Sequence, residues 1–373
     1  MSFWPITILG AMLFVAYANG ANDNFKGVAT LFGSDTADYR RALCWATITT
    51  FAGSLAALFL ATKLVAVFQG SDLLPPHLGQ SQPFIAAVII GAALTVILAT
   101  KLGIPISTTH SLTGALVGSG LVAVGFELGF RTLAISFFLP LLVSPLFAAG
   151  LATIGYPLLC RTIQSAGLSK ENCLCVAITS VPSALTPSGV IITESMSGLR
   201  VIIDRQAACS QPASGTFLGI RAEKLLGVSH YLSAGAVGFA RGLNDTPKIV
   251  ALGLVTSALD LHWLIAMVAA VMALGGLLNA KKVAQTVSKR ITTMEPDQGL
   301  WANLVTSFLV IFASKWGMPV STTHVSCGAL FGIGLANGQA RWIVIRTILL
   351  AWVLTLPTAA LLSAATYVLT RSL

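Results

Sequence analysis

Charged side chains are scarce in this sequence. Asp, Glu, Lys and Arg make up 9% of its 373 residues and hydrophobic residues 55%, whereas a typical soluble domain carries roughly 25% charged residues. So few charges cannot cover the surface of a water-soluble protein of this length, and lipid must therefore cover much of the chain. The composition predicts an all-α polytopic membrane protein.

Other absences exclude further classes. The six cysteines are scattered and form no disulfide framework. Cys173 and Cys175 lack the second ligand pair of a zinc site, so neither a metal nor another cofactor is expected beyond a transported ion. The net charge is +9, but no basic run with interleaved aromatics indicates nucleic acid as a partner. No basic region precedes the N-terminal apolar stretch, which is interpreted as a first membrane segment rather than a signal peptide.

Apolar stretches follow one another along the chain. They lie at 5–20, 42–68, 84–99, 104–124, 131–160, 225–241, 246–258, 263–279, 300–313, 318–336 and 341–370. Short stretches form two pairs, 84–99 with 104–124 and 300–313 with 318–336. Because Gly and Pro interrupt them, they predict broken helices in two re-entrant helical hairpins. The stretch 161–224 carries ten charged residues and predicts a central cytoplasmic loop.

Two motifs occur twice, in the same order. Gly-Ala-Asn-Asp at 20–23, followed by Lys26, recurs as Gly-Leu-Asn-Asp at 242–245, followed by Lys248. Lys-Leu-Gly-Ile-Pro-Ile-Ser-Thr-Thr-His at 101–110 recurs as Lys-Trp-Gly-Met-Pro-Val-Ser-Thr-Thr-His at 315–324. The residue numbers differ by 222 in the first motif (245 − 23) and by 214 in the second (324 − 110). This repetition indicates a duplication, with residues 1–160 as the first membrane repeat and 225–373 as the second.

Loop charges predict the orientation of the repeats. With the N-terminus outside, the loop of Arg40 and Arg41, the central loop and the basic stretch 280–299 face the cytoplasm. Loops 69–83 and 258–263 then face outside, and neither contains Lys or Arg. Corresponding loops of the two halves carry opposite bias, which predicts inverted-topology repeats in the cell membrane with both termini outside.

Asp23 and Asp245 place carboxylates within apolar sequence, where an ionised group usually faces a cavity and meets a cation or a proton. The alternative is a structural ion pair, because Lys26 and Lys248 follow one helical turn later. The recurrence of both Asp residues at matching repeat positions favours a functional role.

The Ser-Thr-Thr-His tetrads follow Pro105 and Pro319 and precede apolar runs, which is typical of a helix start. Free backbone N–H groups and the positive end of the helix dipole, with flanking hydroxyls, form an oxyanion site that needs few buried cations. The alternative is ordinary N-capping. The duplication favours the anion site.

The remaining polar residues leave several interpretations open. His110 and His324 are candidates for binding the anion, orienting a hydroxyl or titrating near neutral pH, and are equally compatible with a structural role. Lys101 and Lys315 are best explained by snorkelling to the membrane interface. Arg241 has no counterpart in the first half, where Asn19 stands. It either lines the pathway or anchors a helix.

These motifs resemble those of the inorganic phosphate transporter (PiT) family. The resemblance rests on Gly-x-Asn-Asp at 20–23 and 242–245 and on Pro-x-Ser-Thr-Thr-His at 105–110 and 319–324, and it covers both halves. It implies a lipid-embedded, usually dimeric symporter of orthophosphate with sodium or protons, and not an enzyme. The residues implied for the substrate and cation sites are Asn22, Asp23, Asn244 and Asp245, and those implied to cradle the anion are Ser107, Thr108, Thr109, Ser321, Thr322 and Thr323.

The sequence departs from the family pattern after each Asn-Asp. Many members continue with Val-Ala-Asn-Ala, whereas this chain continues with Asn24-Phe25-Lys26 and Thr246-Pro247-Lys248. Each lysine is a candidate for the place of a bound cation, where it would neutralise Asp or substrate. This departure favours proton coupling, or another tetrahedral oxyanion such as sulfate, over sodium-coupled phosphate transport.

Two other classes compete with a transporter. A passive anion channel would explain the helix starts but not the paired Asp residues. An intramembrane aspartyl protease would need two carboxylates sharing a proton about 3 Å apart, which a lysine beside each Asp disfavours. Accumulation against a gradient distinguishes a transporter from a channel, and peptide cleavage distinguishes a protease from both.

Overall fold

A computed structural model describes residues 3–68, 73–165, 172–179, 198–205, 218–254 and 259–372. Ten long helices occur in these ranges, five in each half. Those of the first half are α1 (Trp4–Asp23), α2 (Tyr39–Leu60), α3 (Gln82–Leu102), α4 (Thr108–Val124) and α5 (Leu139–Ser165). Those of the second half are α6 (Ala222–Gly253), α7 (Leu261–Asn279), α8 (Pro296–Trp316), α9 (Thr322–Ala336) and α10 (Trp342–Thr370).

Shorter helices connect these elements. They are α-helical at Ala29–Gly33, Thr62–Phe68, Pro76–Gly79, Phe130–Thr132 and Lys281–Gln285, 3₁₀ at Asn24–Val28 and Gly125–Glu127, and π at Leu133–Phe138 and Thr286–Arg290. The long helices α3 and α8 end alike, because Gly103 (φ 72°) and Gly317 (φ 75°) take the left-handed conformation that closes a helix C-terminus. The short connections 104–107 and 318–321 then lead into α4 and α9.

The chain divides into two compact units. One comprises residues 1–157 and 230–373, and the other residues 158–229. The second unit contains a three-stranded antiparallel sheet in the order β2-β1-β3, with β1 at Asn172–Thr179, β2 at Gly198–Arg205 and β3 at Leu218–Arg221. The segment 161–224, which the sequence predicts as a loop, therefore contains strands. Its residues 166–171, 180–197 and 206–217 lie outside the described ranges.

The membrane part consists of helices, as predicted. Eight helices of the described residues are long and apolar enough to cross a membrane: α1 to α5, α7, α8 and α10. The apolar helix α9 is shorter, at 15 residues. The protein is thus a multi-pass membrane protein, while the membrane orientation and the re-entrant geometry of the hairpins stay predictions.

One predicted boundary is wrong. The stretches 225–241 and 246–258 are separate in the sequence interpretation, but a single helix, α6, runs from Ala222 to Gly253. The polar residues between them do not break the helix because they have partners in the core. Asn244 Nδ2 donates to the Val320 carbonyl (3.2 Å), and Thr246 Oγ1 donates to Ser54 Oγ (2.8 Å). Residues 255–258 lie outside the described ranges.

Duplicated glycines place equivalent helices in direct backbone contact. A Cβ atom at Gly20 of α1 would lie 1.9 Å from the carbonyl oxygen of Met272 in α7. A Cβ atom at Gly242 of α6 would lie 2.1 Å from the carbonyl oxygen of Thr50 in α2. The two contacts are repeat equivalents, because 242 − 20 and 272 − 50 are both 222. Each half therefore packs its first helix against the second helix of the other half.

Gly20→Ala is expected to destabilise the protein by about 3 kcal/mol or more, because a methyl group at this crossing overlaps rigid backbone. The matched control is Gly10→Ala in the same helix, because a Cβ atom at Gly10 has nothing within 4 Å. The measurement is the unfolding temperature of the detergent-purified variants. Equal unfolding temperatures for the two variants would contradict the close crossing.

The second helix of each hairpin also packs against a helix of the other half. A Cβ atom at Gly114 of α4 would lie 2.4 Å from the Leu356 carbonyl oxygen of α10, and one at Gly328 of α9 would lie 2.5 Å from the Pro145 carbonyl oxygen of α5. Each hairpin is therefore seated on the last helix of the opposite half. The two halves form one interlocked body around their duplicated motifs.

Candidate functional site

Five charged side chains are buried within the described part of the chain. They are Asp23, Lys26, Arg241, Asp245 and Lys248. Three cations against two carboxylates leave this cluster with a formal charge of +1 (3 − 2). An uncompensated charge in a membrane interior is expensive, so the cluster favours an anion that completes the neutralisation.

Lys26 connects both halves of the site. Its ammonium forms an ion pair with Asp23 Oδ1 and donates to Asn22 Oδ1 (2.8 Å). It also donates to the Ile106 carbonyl (2.8 Å) and to Thr323 Oγ1 (2.7 Å). The structural pairing of Asp and Lys that the sequence left open is therefore present. The same lysine also reaches the hairpin of its own half and the helix start of the other half.

Lys248 makes the equivalent contacts in the second half. Its ammonium donates to the Val320 carbonyl (2.7 Å) and to Thr109 Oγ1 (2.8 Å), and lies 3.6 Å from Asp245 Oδ1. These partners stand at the repeat offsets of the Lys26 partners, because 320 − 106 and 323 − 109 are both 214. The duplication of the sequence is thus a duplication of contacts.

Arg241 lies where the two halves meet. Its guanidinium donates to Asn19 Oδ1 (2.5 Å) and Asn24 Oδ1 (3.3 Å). Its Nε lies 3.8 Å from Asp245 Oδ2 and makes no hydrogen bond within the described residues. Asn19 occupies the repeat position of Arg241 (241 − 19 = 222). Arg241, which breaks the symmetry of the repeats, therefore contacts Asn19, its counterpart in the first half. Its Nε–H remains available as a hydrogen-bond donor.

Asn19 joins the carboxylates to a helix start. Its amide donates to Asp23 Oδ2 (3.0 Å), Asp245 Oδ2 (3.2 Å) and Thr108 Oγ1 (2.9 Å). Asn19 was not predicted as a site residue. The feature of the sequence that could have indicated its role is that it stands at the repeat position of Arg241.

Both tetrads begin helices as predicted. Ser107 Oγ accepts from the His110 amide (3.1 Å), and Ser321 Oγ accepts from the His324 amide (3.2 Å). These N-caps leave the serine O–H groups as donors. The first amide N–H groups of each helix have no intrahelical acceptor, so two positive helix ends with free donors are present at the site.

The two helix starts lie side by side. Thr323 Oγ1 donates to the Ile106 carbonyl (2.9 Å), and Thr109 Oγ1 donates to the Val320 carbonyl (3.4 Å). Thr108 Oγ1 donates to Asp23 Oδ2 (3.2 Å). The structure therefore brings Thr108, Thr109 and Thr323 together with the buried charges, while Thr322 is buried at the start of α9.

Asn22 and Asn244 attach the Gly-x-Asn-Asp motifs to the hairpins. Asn22 Nδ2 donates to Thr100 Oγ1 (2.9 Å), and Asn244 Oδ1 accepts from Ser314 Oγ (3.1 Å). Thr100 and Ser314 were also not predicted as site residues from the sequence. They occupy matching repeat positions (314 − 100 = 214), directly before the lysines that open the second motif, and this was the available signal.

The two histidines pair with each other rather than with the charged groups. The ring centroids of His110 and His324 lie 4.2 Å apart, and His324 stacks on Trp352 at 3.8 Å. Lys101 and Lys315 are exposed, and their position at the membrane interface stays a prediction. The anion-facing role of the histidines stays a prediction.

A helical membrane protein whose interior holds duplicated helix N-termini and an excess of buried cations has the features of a membrane transport protein. The sequence model described as the phosphate transporter family matches residues 19–363. The chain therefore belongs to the phosphate transporter family, as the motifs indicated.

Individual relatives agree with this assignment. The chain is 28% identical to the "probable low-affinity inorganic phosphate transporter" of Rhizobium meliloti, covering 97% of this chain and 95% of the relative. It is 28% identical to the chloroplastic inorganic phosphate transporter 2-1 of Arabidopsis thaliana, covering 94% of this chain and 69% of the relative. A solved structure titled as the sodium-dependent phosphate transporter is similar in fold, with a TM-score of 0.74, 21% identity and full coverage of both chains.

Proposed function

We propose that the protein is a secondary active transporter that moves inorganic phosphate across the membrane together with Na⁺ or H⁺. The observation that supports this function best is the buried cluster with a formal charge of +1 beside two helix N-termini. Its single excess charge matches a phosphate monoanion. Membership of the phosphate transporter family supports the same substrate.

Phosphate binding would use donors from both halves. The helix N-termini supply amide N–H groups from Thr108 and Thr109 and from Thr322 and Thr323. Arg241 supplies an Nε–H that makes no hydrogen bond within the described residues, and the serine O–H groups add neutral donors. A protonated phosphate oxygen would donate to Asp23 or Asp245, a bond that fully ionised sulfate cannot make. These carboxylates therefore favour phosphate over sulfate.

Alternating access would follow from the interlocked halves. At each helix start one threonine contacts both a lysine and a main-chain carbonyl of the other half, so a rocking movement of one half changes both ends of the site together. We further propose that residues 1–160 and 225–373 are inverted repeats and that their two hairpins are re-entrant. We also propose a cell-membrane location with both termini outside, a homodimer, and a cytoplasmic position for 161–224.

The test is uptake of radiolabelled phosphate into proteoliposomes under an imposed sodium gradient and, separately, an imposed proton gradient. Uphill uptake under either gradient, resistant to excess sulfate and lost in Asp23→Asn, is the expected result. Downhill flux alone would indicate a channel. Uptake of labelled sulfate without uptake of phosphate would replace the substrate by another oxyanion.

A further inference from the structure

The ammonium of Lys26 lies within a shell made entirely of oxygen atoms. The shell contains a carboxylate oxygen of Asp23, the amide oxygen of Asn22, the main-chain oxygen of Ile106 and the hydroxyl oxygen of Thr323. An ammonium has three N–H donors, one fewer than the oxygens around it. The shell therefore resembles the coordination of a spherical cation more than a set of directed hydrogen bonds.

Mixed shells of carboxylate, amide, hydroxyl and main-chain oxygens are the kind that hard metal cations bind. In transporters with broken helices, unwound main-chain carbonyls commonly coordinate the co-transported ion. Ile106 lies in such a segment, directly before the N-cap of α4. The oxygen atoms that hold Lys26 are thus suited to an alkali cation of the same charge.

The second half repeats this arrangement without the amide oxygen, because Asn244 Oδ1 accepts from Ser314 instead. The Lys248 ammonium contacts the main-chain oxygen of Val320, the hydroxyl of Thr109 and, at 3.6 Å, a carboxylate oxygen of Asp245. Val320 also lies directly before an N-cap, that of α9. The duplication places one covalently attached cation beside each buried carboxylate.

We propose that the ammonium groups of Lys26 and Lys248 occupy the places of coupling cations as permanently tethered substitutes, so that transport is independent of sodium. This inference rests on the proposed phosphate transport and leaves the proton as the driving ion. Replacing Lys26 by Asn withdraws the ammonium from its oxygen shell and adds one further amide oxygen. Lys26→Asn therefore creates a sodium site in this chain.

The charge balance agrees with this assignment. Each carboxylate already has a lysine partner, and Arg241 supplies the excess charge of +1. Phosphate monoanion, which is the dianion with the coupling proton already attached, brings the cluster to neutrality with no further ion. A sodium ion would raise the charge to +2 and would contact an ammonium of the same sign.

Sodium binding to the purified protein tests the proposal without requiring transport. The unfolding temperature and the binding of radioactive Na⁺ are measured in NaCl and in choline chloride at equal ionic strength for wild type, Lys26→Asn and Lys26→Met. The expected result is sodium-specific stabilisation of Lys26→Asn, with an affinity for Na⁺ at least about tenfold above that of wild type. Lys26→Met is the matched control, because it removes the charge but adds no oxygen ligand.

Uptake by the wild type adds a second, independent readout. A proton gradient is expected to drive the same phosphate uptake in sodium and in choline, whereas Lys26→Asn requires sodium. Sodium-driven uptake or sodium-specific stabilisation of the wild type overturns the proposal, as does a folded, monodisperse Lys26→Asn that binds no sodium.

If Lys26→Asn does not fold, Lys248→Asn provides the same comparison in the second half. If the wild type takes up no phosphate under any gradient, the proposed function is rejected. The sodium-binding measurement would still decide this inference.

Discussion

Asp23→Asn is expected to abolish uphill phosphate uptake and to lower the free energy of unfolding by about 3–5 kcal/mol. The substitution removes the carboxylate that pairs with the buried ammonium of Lys26 and accepts from Asn19 and Thr108. The lysine then carries a buried charge without a counter-charge. The measurements are labelled uptake in proteoliposomes and the unfolding temperature in detergent.

Two further variants distinguish the effect of losing the charge on stability from its effect on transport. The double variant Asp23→Asn with Lys26→Met removes both charges, so it is expected to regain stability but not transport. Asp38→Asn is the matched control, because the Asp38–Arg41 pair has the same i,i+3 spacing but is exposed, and its loss costs less than about 1 kcal/mol. Wild-type uptake by Asp23→Asn would contradict a role of this carboxylate in transport.

Arg241→Met is expected to reduce phosphate affinity by at least about 30-fold, because loss of one buried cation from a charge-paired site costs about 2–5 kcal/mol. The formal charge of the cluster falls from +1 to zero, so no excess positive charge is left for an anion to neutralise. The Nε–H donor that makes no hydrogen bond within the described residues is also lost. The measurement is the concentration dependence of phosphate binding to the purified variant.

Arg241→Lys tests whether charge or geometry dominates at this position. It restores the charge without the planar fork of donors, and it is expected to bind phosphate with an affinity between those of Arg241→Met and wild type. Arg346→Met serves as the control, because Arg346 is exposed on α10. Unchanged phosphate affinity in Arg241→Met would show that the excess charge has no part in anion binding.

The duplication made much of the site predictable from the sequence. Asp23 and Lys26 lie one helical turn apart, so their pairing is local, and the repeat offset (245 − 23 = 222) transfers it to Asp245 and Lys248. The tetrads likewise carry their own signal, since Ser before an apolar run caps a helix. Local geometry and repetition together were sufficient to identify both carboxylates and both helix starts.

Contacts between the halves were not predictable in the same way. Lys26 and Thr323 are 297 residues apart, and only the packing of hairpins on the opposite half brings them together. The continuous helix α6 was also missed, because polar residues interrupt its apolar pattern, and their partners in other helices are not visible in sequence. The strands in 161–224 were missed because the loop prediction rested on the charged residues of the whole stretch, although Asn172–Thr179 and Gly198–Arg205 contain short apolar runs.

Locating the bound anion tests the proposed phosphate site most directly. Arsenate has the same shape as phosphate and a strong anomalous X-ray signal, so a crystal of the protein with arsenate would locate the anion from a single atom. We expect one anomalous peak between the N-termini of α4 and α9, within hydrogen-bond reach of Arg241. A peak remote from both helix starts, or none at the buried cluster at saturating arsenate, would contradict the proposed site.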